Sequence, residues 1–205
     1  NNWIKKFKNI HSVAKSSEDI ILKYWEGLGY YARARNFHKA SKIILNDNIN
    51  LNKITYKKFN DLPGVGDYTS AAVFSIVKKK CLPAIDTNVK RVISRYLALN
   101  NQKDNKKINN FLIKNISNLN PGDFNQAIME IGALLCKPKN PNCLKCPINN
   151  NCIAYLKNKV MDYSIKNKIL KRPNYKIVVG VIWKNNKIFI AKRKSIGLLG
   201  GLWEF

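Results

Sequence analysis

Four cysteines crowd into one short stretch of the chain. Cys136, Cys143, Cys146 and Cys152 are spaced C-x6-C-x2-C-x5-C within CKPKNPNCLKCPINNNC. Thiols packed this closely are poor core filler and suit one metal centre, either a [4Fe–4S] cluster or a structural zinc. The fifth cysteine, Cys81, stands apart between Lys80 and Leu82 and reads as an ordinary thiol. A cluster of four with one outlier fits a reducing compartment and metal ligation better than a disulfide framework.

Lysines and arginines outnumber acidic residues 37 to 12 in 205 residues, a formal charge of +25. An excess of that size points to a polyanionic partner, most often nucleic acid. Lysine, asparagine and isoleucine are all abundant, so compositional drift accounts for part of it. No apolar run is long enough to span a bilayer and nothing resembles a signal peptide, which argues against a membrane partner. The chain opens on Asn1-Asn2-Trp3 and stops at Leu202-Trp203-Glu204-Phe205, as an internal fragment of a longer protein would.

Residues 1–156 read as helices. Ser16 or Ser17 is placed to cap a helix carrying Ile20, Ile21, Tyr24, Trp25 and Leu28, with Gly27 and Gly29 as its stop. Phe37, Ala40 and Ile44 mark another. Val89, Val92, Ile93 and Leu97 form the apolar face of a helix after Asp86. Ile108, Phe111, Leu112, Ile116 and Leu119 form the next stripe. Pro121-Gly122-Asp123 breaks the pattern before Phe124, Ala127, Ile128, Ile131 and Leu135 lead into Cys136. Residues 157–174, lysine-rich with Arg172-Pro173, read as a linker. KIVVGVIW (176–183) and KIFIAKR (187–193) then read as a β-hairpin opening a second domain at 175–205.

LPGVG at Leu62–Gly66 sits between a short helix (Tyr56–Asn60) and an apolar one (Thr69–Val77). Gly64 and Gly66 allow positive φ and close backbone approach. The amides of Val65 and Gly66 and of the next helical turn are expected to face outward at the positive end of a helix dipole, as a seat for one phosphate. Asp67 is expected to cap that helix. Asp86, in LPAIDTNVKRVISRY, ends an extended segment and begins a helix. It is an N-cap by position, and also a carboxylate able to stabilise an oxocarbenium-like sugar or to bond to C1′, as in glycoside hydrolysis. Asn88 is placed to orient that carboxylate or a water. Lys90, Arg91 and Arg95 are expected on phosphates or on a solvated face.

The order helix-hairpin-helix (about 55–79), Asp86, then the four-cysteine loop (136–152) resembles the endonuclease III superfamily of DNA glycosylases, in which that loop is an iron–sulfur loop. WEGLGYYARARNFHKA (25–40), LPGVGDYTSAAVFSI (62–76), AIDTNVKRVISR (84–95) and FNQAIMEIGALLC (124–136) are similar to its adenine DNA glycosylase branch. The resemblance implies a mainly α helix-hairpin-helix glycosylase fold over 1–156 and a [4Fe–4S] cluster on the four cysteines. It also implies that 175–205 begins a Nudix-like α+β domain. The implied reaction is hydrolysis of the N-glycosidic bond of adenine mispaired with 8-oxoguanine or guanine in double-stranded DNA. The enzyme would be a monomer working on the nucleoid in a bacterial cytoplasm.

On this resemblance Asp86, Asn88 and Tyr68 are the catalytic group. Lyase members carry a lysine where this chain has Tyr68, so the enzyme would be monofunctional. Thr87 departs from the glycine common in the adenine branch. Tyr30 matches the residue wedged into the base stack, where aromatic insertion offsets the cost of unstacking, and Tyr31 would pack. Arg33, Arg35, Lys90, Arg91 and the loop lysines Lys137, Lys139 and Lys145 would join Gly64, Val65 and Gly66 on the DNA backbone. The family's acid, a glutamate that protonates adenine N7, lies ahead of the region matching Asn1. None of Glu18, Glu26, Glu130 and Glu204 matches it, so the 205-residue chain alone is expected to excise little adenine. Two alternatives stand beside this reading: a glycosylase/lyase for oxidised pyrimidines, and a non-catalytic iron–sulfur DNA-binding module.

Overall fold

A computed structural model describes residues 2–99, 104–163, 174, 176–194, 197 and 199–205. The chain divides into two compact units, Asn1–Asn52 with Ile169–Phe205, and Lys53–Lys168. No helix among the described residues is long and apolar enough to cross a membrane.

The first unit holds α1 (Asn2–Lys6), α2 (Ile10–Lys15), α3 (Glu18–Trp25) and α4 (Tyr31–Asn46). Asn9 caps α2 by accepting from Ser12 N at 2.9 Å, and Ser17 caps α3 by accepting from Ile20 N at 3.4 Å. Side-chain acceptors there satisfy N–H groups that a helix start otherwise leaves unpaired. Phe7, Val13, Ile21, Leu22 and Ala34 form the core, with Trp3, Trp25 and Tyr31 packed against it. Trp3 stands edge-on to Trp25 at 5.1 Å. The first two helices carried no sequence signal, because each is too short to show a full apolar period. Leu28, expected on the α3 stripe, lies past the helix end and is 63% exposed.

In the same unit, β1 (Trp183–Lys184) pairs antiparallel with β2 (Lys187–Ile188), and β3 (Ala191–Lys192) with β4 (Trp203–Glu204). Asn185 and Asn186 both take positive φ, 51° and 57°. That is the two-residue turn whose twist matches a hairpin. The paired strands are shorter than the apolar runs that suggested them, and Val178 and Ile182 remain exposed. Two-stranded pieces bury little by themselves. Of the expected linker, residues 164–173, with Arg172-Pro173, lie outside the described residues.

The second unit holds α5 (Tyr56–Asn60), α6 (Asp67–Val77), α7 (Thr87–Tyr96), α8 (Asn105–Asn115), α9 (Pro121–Glu130) and α10 (Ile153–Leu156). Its core is Val89, Val92, Ile93, Ile108 and Leu112. Leu119, expected to continue the α8 stripe, is exposed, because α8 ends at Asn115 and Ile116 adopts an extended conformation. Pro121 takes the first position of α9, where its missing N–H costs nothing. A Cβ on Gly122 would stand 2.8 Å from the Ile76 backbone, so glycine is what lets α9 meet α6.

The stripe running toward Cys136 is not one α-helix. After Glu130 the chain widens into a π-helical turn, Ile131–Leu135, closed by Cys136 N donating to Ile131 O at 2.7 Å. Such a turn inserts one residue and re-aims the chain beyond it. The residue re-aimed here is Cys136, the first cysteine of the cluster.

Candidate functional site

The hairpin between α5 and α6 is built by Gly64 at φ 76° and by Gly66 at the cap position of α6. Asp67 is not the cap. It is the first helical residue, and its Oδ1 accepts from Asn60 Nδ2 at 3.2 Å. Nor does Val65 offer its amide outward: it donates to Leu62 O at 3.0 Å, closing the turn. Gly64 and Gly66 are exposed, and among the described residues neither N–H meets a protein acceptor. The outward donors of the expected phosphate seat are therefore these two glycines and the first turn of α6.

Asp86 is the N-cap of α7. Its Oδ1 accepts from Val89 N at 2.7 Å and its Oδ2 from Asn88 Nδ2 at 3.2 Å. Both carboxylate oxygens are thus oriented by the chain, while the residue stays half-buried rather than sealed. The segment leading to it is pinned by a residue that sequence reasoning missed. Asn125, 3% exposed on α9, accepts from Ala84 N at 3.0 Å and donates to Leu82 O and Ser75 Oγ, both at 2.9 Å. An amide, Asn125, set beside Gln126 within the apolar stripe FNQAIMEI was the available signal.

Tyr68, Ile85 and Lys90 line one cleft with residues of α8. Tyr68 is 43% exposed, and its hydroxyl donates to Met129 Sδ at 3.6 Å. No amine stands at position 68, while Lys90 brings one to the same cleft.

Arg91 was expected on phosphates but is committed inward. Its Nε donates to Cys136 O at 2.8 Å, and its Nη2 to Gly132 O at 2.7 Å and Asn88 Oδ1 at 2.9 Å. Burial pushes its guanidinium below the ordinary arginine range. A Cβ on Gly132 would fall 2.7 Å from Asn88 Cβ, so a glycine at that point lets the π-turn touch the start of α7. Asp86, Asn88, Arg91 and the backbone of Cys136 form one continuous chain of hydrogen bonds.

The four cysteines line a single cavity together with Arg95. Tight turns bring three of them round: Cys146 N donates to Cys143 O at 3.1 Å, Asn149 N to Cys146 O at 3.2 Å, and Cys152 N to Asn149 O at 3.0 Å. Among the described residues, no group of three or more His, Cys, Asp or Glu is drawn close enough to hold a metal ion. Burial pushes the Cys143 and Cys152 thiols up, and neighbouring cysteines push both the same way.

Arg95, expected on phosphates or a solvated face, is 1% exposed. Its Nη1 donates to Lys137 O at 2.7 Å and Cys136 Sγ at 3.3 Å, and its Nη2 to Pro138 O at 3.2 Å. Its Nε has no partner, and none of the four ion pairs among the described residues includes it. Lys137, Lys139 and Lys145, on the loop outside this cavity, are exposed.

In the first unit, Tyr30 precedes α4 in the left-handed region, φ 48°, and is 79% exposed. Arg33 lies over its ring at 5.2 Å. Tyr31, one residue on, packs against the core. Arg35 is not available to phosphates: its Nε donates to Glu18 Oε1 at 2.9 Å and its Nη2 to Gly200 O.

The family model described as HhH-GPD superfamily base excision DNA repair protein matches residues 1–132. Two proteins called adenine DNA glycosylase are among the similar ones. That of Buchnera aphidicola subsp. Schizaphis graminum is 39% identical over 100% of this chain and 60% of its own length. That of Buchnera aphidicola subsp. Baizongia pistaciae is 37% identical over 99% of this chain and 59% of its own length. The chain thus spans about three-fifths of these curated relatives. A solved thermostable thymine-DNA glycosylase superposes with a TM-score of 0.67 and 28% identity, covering 76% of this chain and 73% of that one.

Proposed function

The chain belongs to the HhH-GPD superfamily of base excision DNA repair proteins, and from that premise we propose that it carries most of the catalytic region of an adenine DNA glycosylase. The reaction is hydrolysis of the N-glycosidic bond of adenine mispaired with 8-oxoguanine or guanine. The observation that carries this reading is the doubly oriented, half-buried carboxylate of Asp86 at the start of α7. As the base departs, positive charge develops on the sugar, and a carboxylate held in advance stabilises it without reorganising. Asn88 fixes the geometry of that carboxylate. The relatives' names support adenine as the base. The +25 charge, the exposed Gly64 and Gly66 amides and Lys137, Lys139 and Lys145 support duplex DNA as the partner.

Tyr68 supports a monofunctional course, since its phenol forms no Schiff base with C1′. The runner-up, a glycosylase/lyase, rests on Lys90 lining the same cleft. It predicts strand cleavage without alkali, whereas the hydrolytic reading predicts an intact abasic strand.

The same reading assigns a [4Fe–4S] cluster to Cys136, Cys143, Cys146 and Cys152. The donor chemistry fits it, because all four thiols line one cavity and four cysteine thiolates are the ligand set of such a cluster. The unpaired buried cation of Arg95 fits an anionic occupant. Bound there, the cluster would cross-link the turns that carry Lys137, Lys139 and Lys145; the bond-breaking belongs to Asp86.

The test is Asp86→Asn in the full-length protein. Single-turnover release of adenine from an A:8-oxoguanine duplex should fall about 100- to 1000-fold, the scale seen on removing a catalytic electrostatic group. Mismatch affinity should be retained. Excision unchanged in that variant would remove Asp86 from the mechanism, and a wild-type protein that binds but never excises would identify a binding module.

A further inference from the structure

Arg95 is the largest side chain among the described residues with less than 2% exposure, and it carries a charge. A buried guanidinium ordinarily sits against a carboxylate, because an uncompensated charge in low dielectric is strongly unfavourable. Arg95 has none among the described residues. Its hydrogen bonds go to the carbonyls of Cys136, Lys137 and Pro138 and to the sulfur of Cys136. Nε meets nothing, and Met161 Sδ, a weak acceptor, lies 3.8 Å from Nη2. Among the described residues, the one concentrated source of negative charge brought to this cavity is the set of four cysteines, once they ligate as thiolates.

We propose that Arg95 is the built-in counter-cation of the metal centre. It offsets the negative charge of the thiolate-bound cluster from inside the protein and holds the Cys136–Pro138 backbone to it. This rests on the assignment of the cluster to the four cysteines. Arg91 shares the Cys136 carbonyl but turns its other donors to Asn88 and Gly132, and the loop lysines are exposed, so the cavity-facing charge is that of Arg95. A positive charge at hydrogen-bond distance from a ligating sulfur favours the more reduced, more negative state of the cluster. Removing it makes the cluster easier to oxidise and, once oxidised, easier to lose.

The experiment uses the full-length protein, loaded anaerobically, as wild type, Arg95→Gln and Arg95→Lys. The readouts are iron per chain, the midpoint potential of the one-electron couple, and the rate of iron loss to a chelator in air. Arg95→Gln keeps donors but loses the charge. At a fixed potential its oxidised-to-reduced ratio should rise at least ten-fold, which is 59 mV for one electron, and iron loss should accelerate by a similar factor. Arg95→Lys should return both to within about three-fold of wild type. If Arg95→Gln does not fold, Arg95→Lys decides alone: a wild-type ratio supports the proposal and a ten-fold shift overturns it. Iron-loaded variants that both behave as wild type, or that shift alike, overturn it while leaving the cluster in place. A wild-type chain that takes up no iron removes the cluster assignment, and the proposal with it.

Discussion

Arg91 donates from Nε to the main-chain carbonyl of Cys136 at 2.8 Å, across 45 residues of sequence. The same side chain reaches Asn88, whose amide orients Asp86. One arginine therefore ties the residue that opens the cysteine loop to the carboxylate at the start of α7.

Replacing Arg91 with Met removes the guanidinium donor from Gly132 O and Asn88 Oδ1 and leaves Cys136 O with the longer bond from Arg95 Nη1 at 3.5 Å. Loss of a charged hydrogen-bonding group at a half-buried site costs about 1.5–3 kcal/mol. Urea unfolding of the second unit should show a loss in that range. Adenine excision by the full-length protein should fall by a larger factor than mismatch affinity does, because Asn88 loses its anchor while the exposed DNA contacts stay. A variant that weakens only binding would return Arg91 to the phosphates.

Asn125→Ala tests the pin behind Asp86. It leaves the buried Ala84 N–H unpaired, at about 1–3 kcal/mol, and takes one donor from the half-buried Leu82 C=O. A lower denaturation midpoint and faster amide exchange at Ala84 and Ile85 are expected. Unchanged exchange there would mean that the segment is held by other contacts.

Neighbouring tyrosines should separate cleanly. Tyr30 is exposed, so Tyr30→Ala should leave stability within about 0.5 kcal/mol, as is usual for surface positions. It should weaken mismatch binding or excision by about 1–3 kcal/mol, the worth of one aromatic stacked on a base. Tyr31→Ala should do the reverse, lowering the melting temperature of the first unit through lost core contact. Equal effects from the two would remove the wedge role from Tyr30.

His38 supplies a pH dependence. It is 3% exposed on α4, its Nε2 has no partner, and burial, then Lys42, lowers its pKa below the ordinary 6.5. The unfolded chain therefore binds the proton more readily than the folded one. Its contribution to stability is complete above pH 6.5 and is lost as pH falls from there through the folded value. Unfolding of the first unit followed from about pH 7.5 to about pH 5 should show this loss, and His38→Gln should flatten it. A slope unaffected by the substitution would assign the effect to the carboxylates.

Features set by near neighbours were legible in the chain itself. The short helix Tyr56–Asn60, the glycine hairpin, the cap role of Asp86 and the buried face of α7 all depend on residues a few positions apart, where capping, φ preference and period act directly. Asp67 shows the limit of that reading: an aspartate beside a cap position looks like a cap until the backbone places Gly66 there. The π-turn before Cys136 was invisible for a related reason, since Ile131–Leu135 keeps a helical apolar pattern while its hydrogen bonds shift by one residue.

The sequence by itself determined the family, the hairpin, the acidic cap and the spacing of the four cysteines, because each is a short motif whose chemistry travels with its residue types. Only the tertiary structure decided which charges are spent inside the protein. Arg35, Arg91 and Arg95 look like DNA-facing cations in a chain of +25, yet packing turns them toward Glu18, the π-turn and the cysteine loop. Whether a guanidinium faces solvent or a carbonyl depends on residues 17 to 165 positions away in the chain, and no local pattern carries that information. The four cysteines thus acquire a buried cation and a hydrogen-bonded line to Asp86 through folding alone.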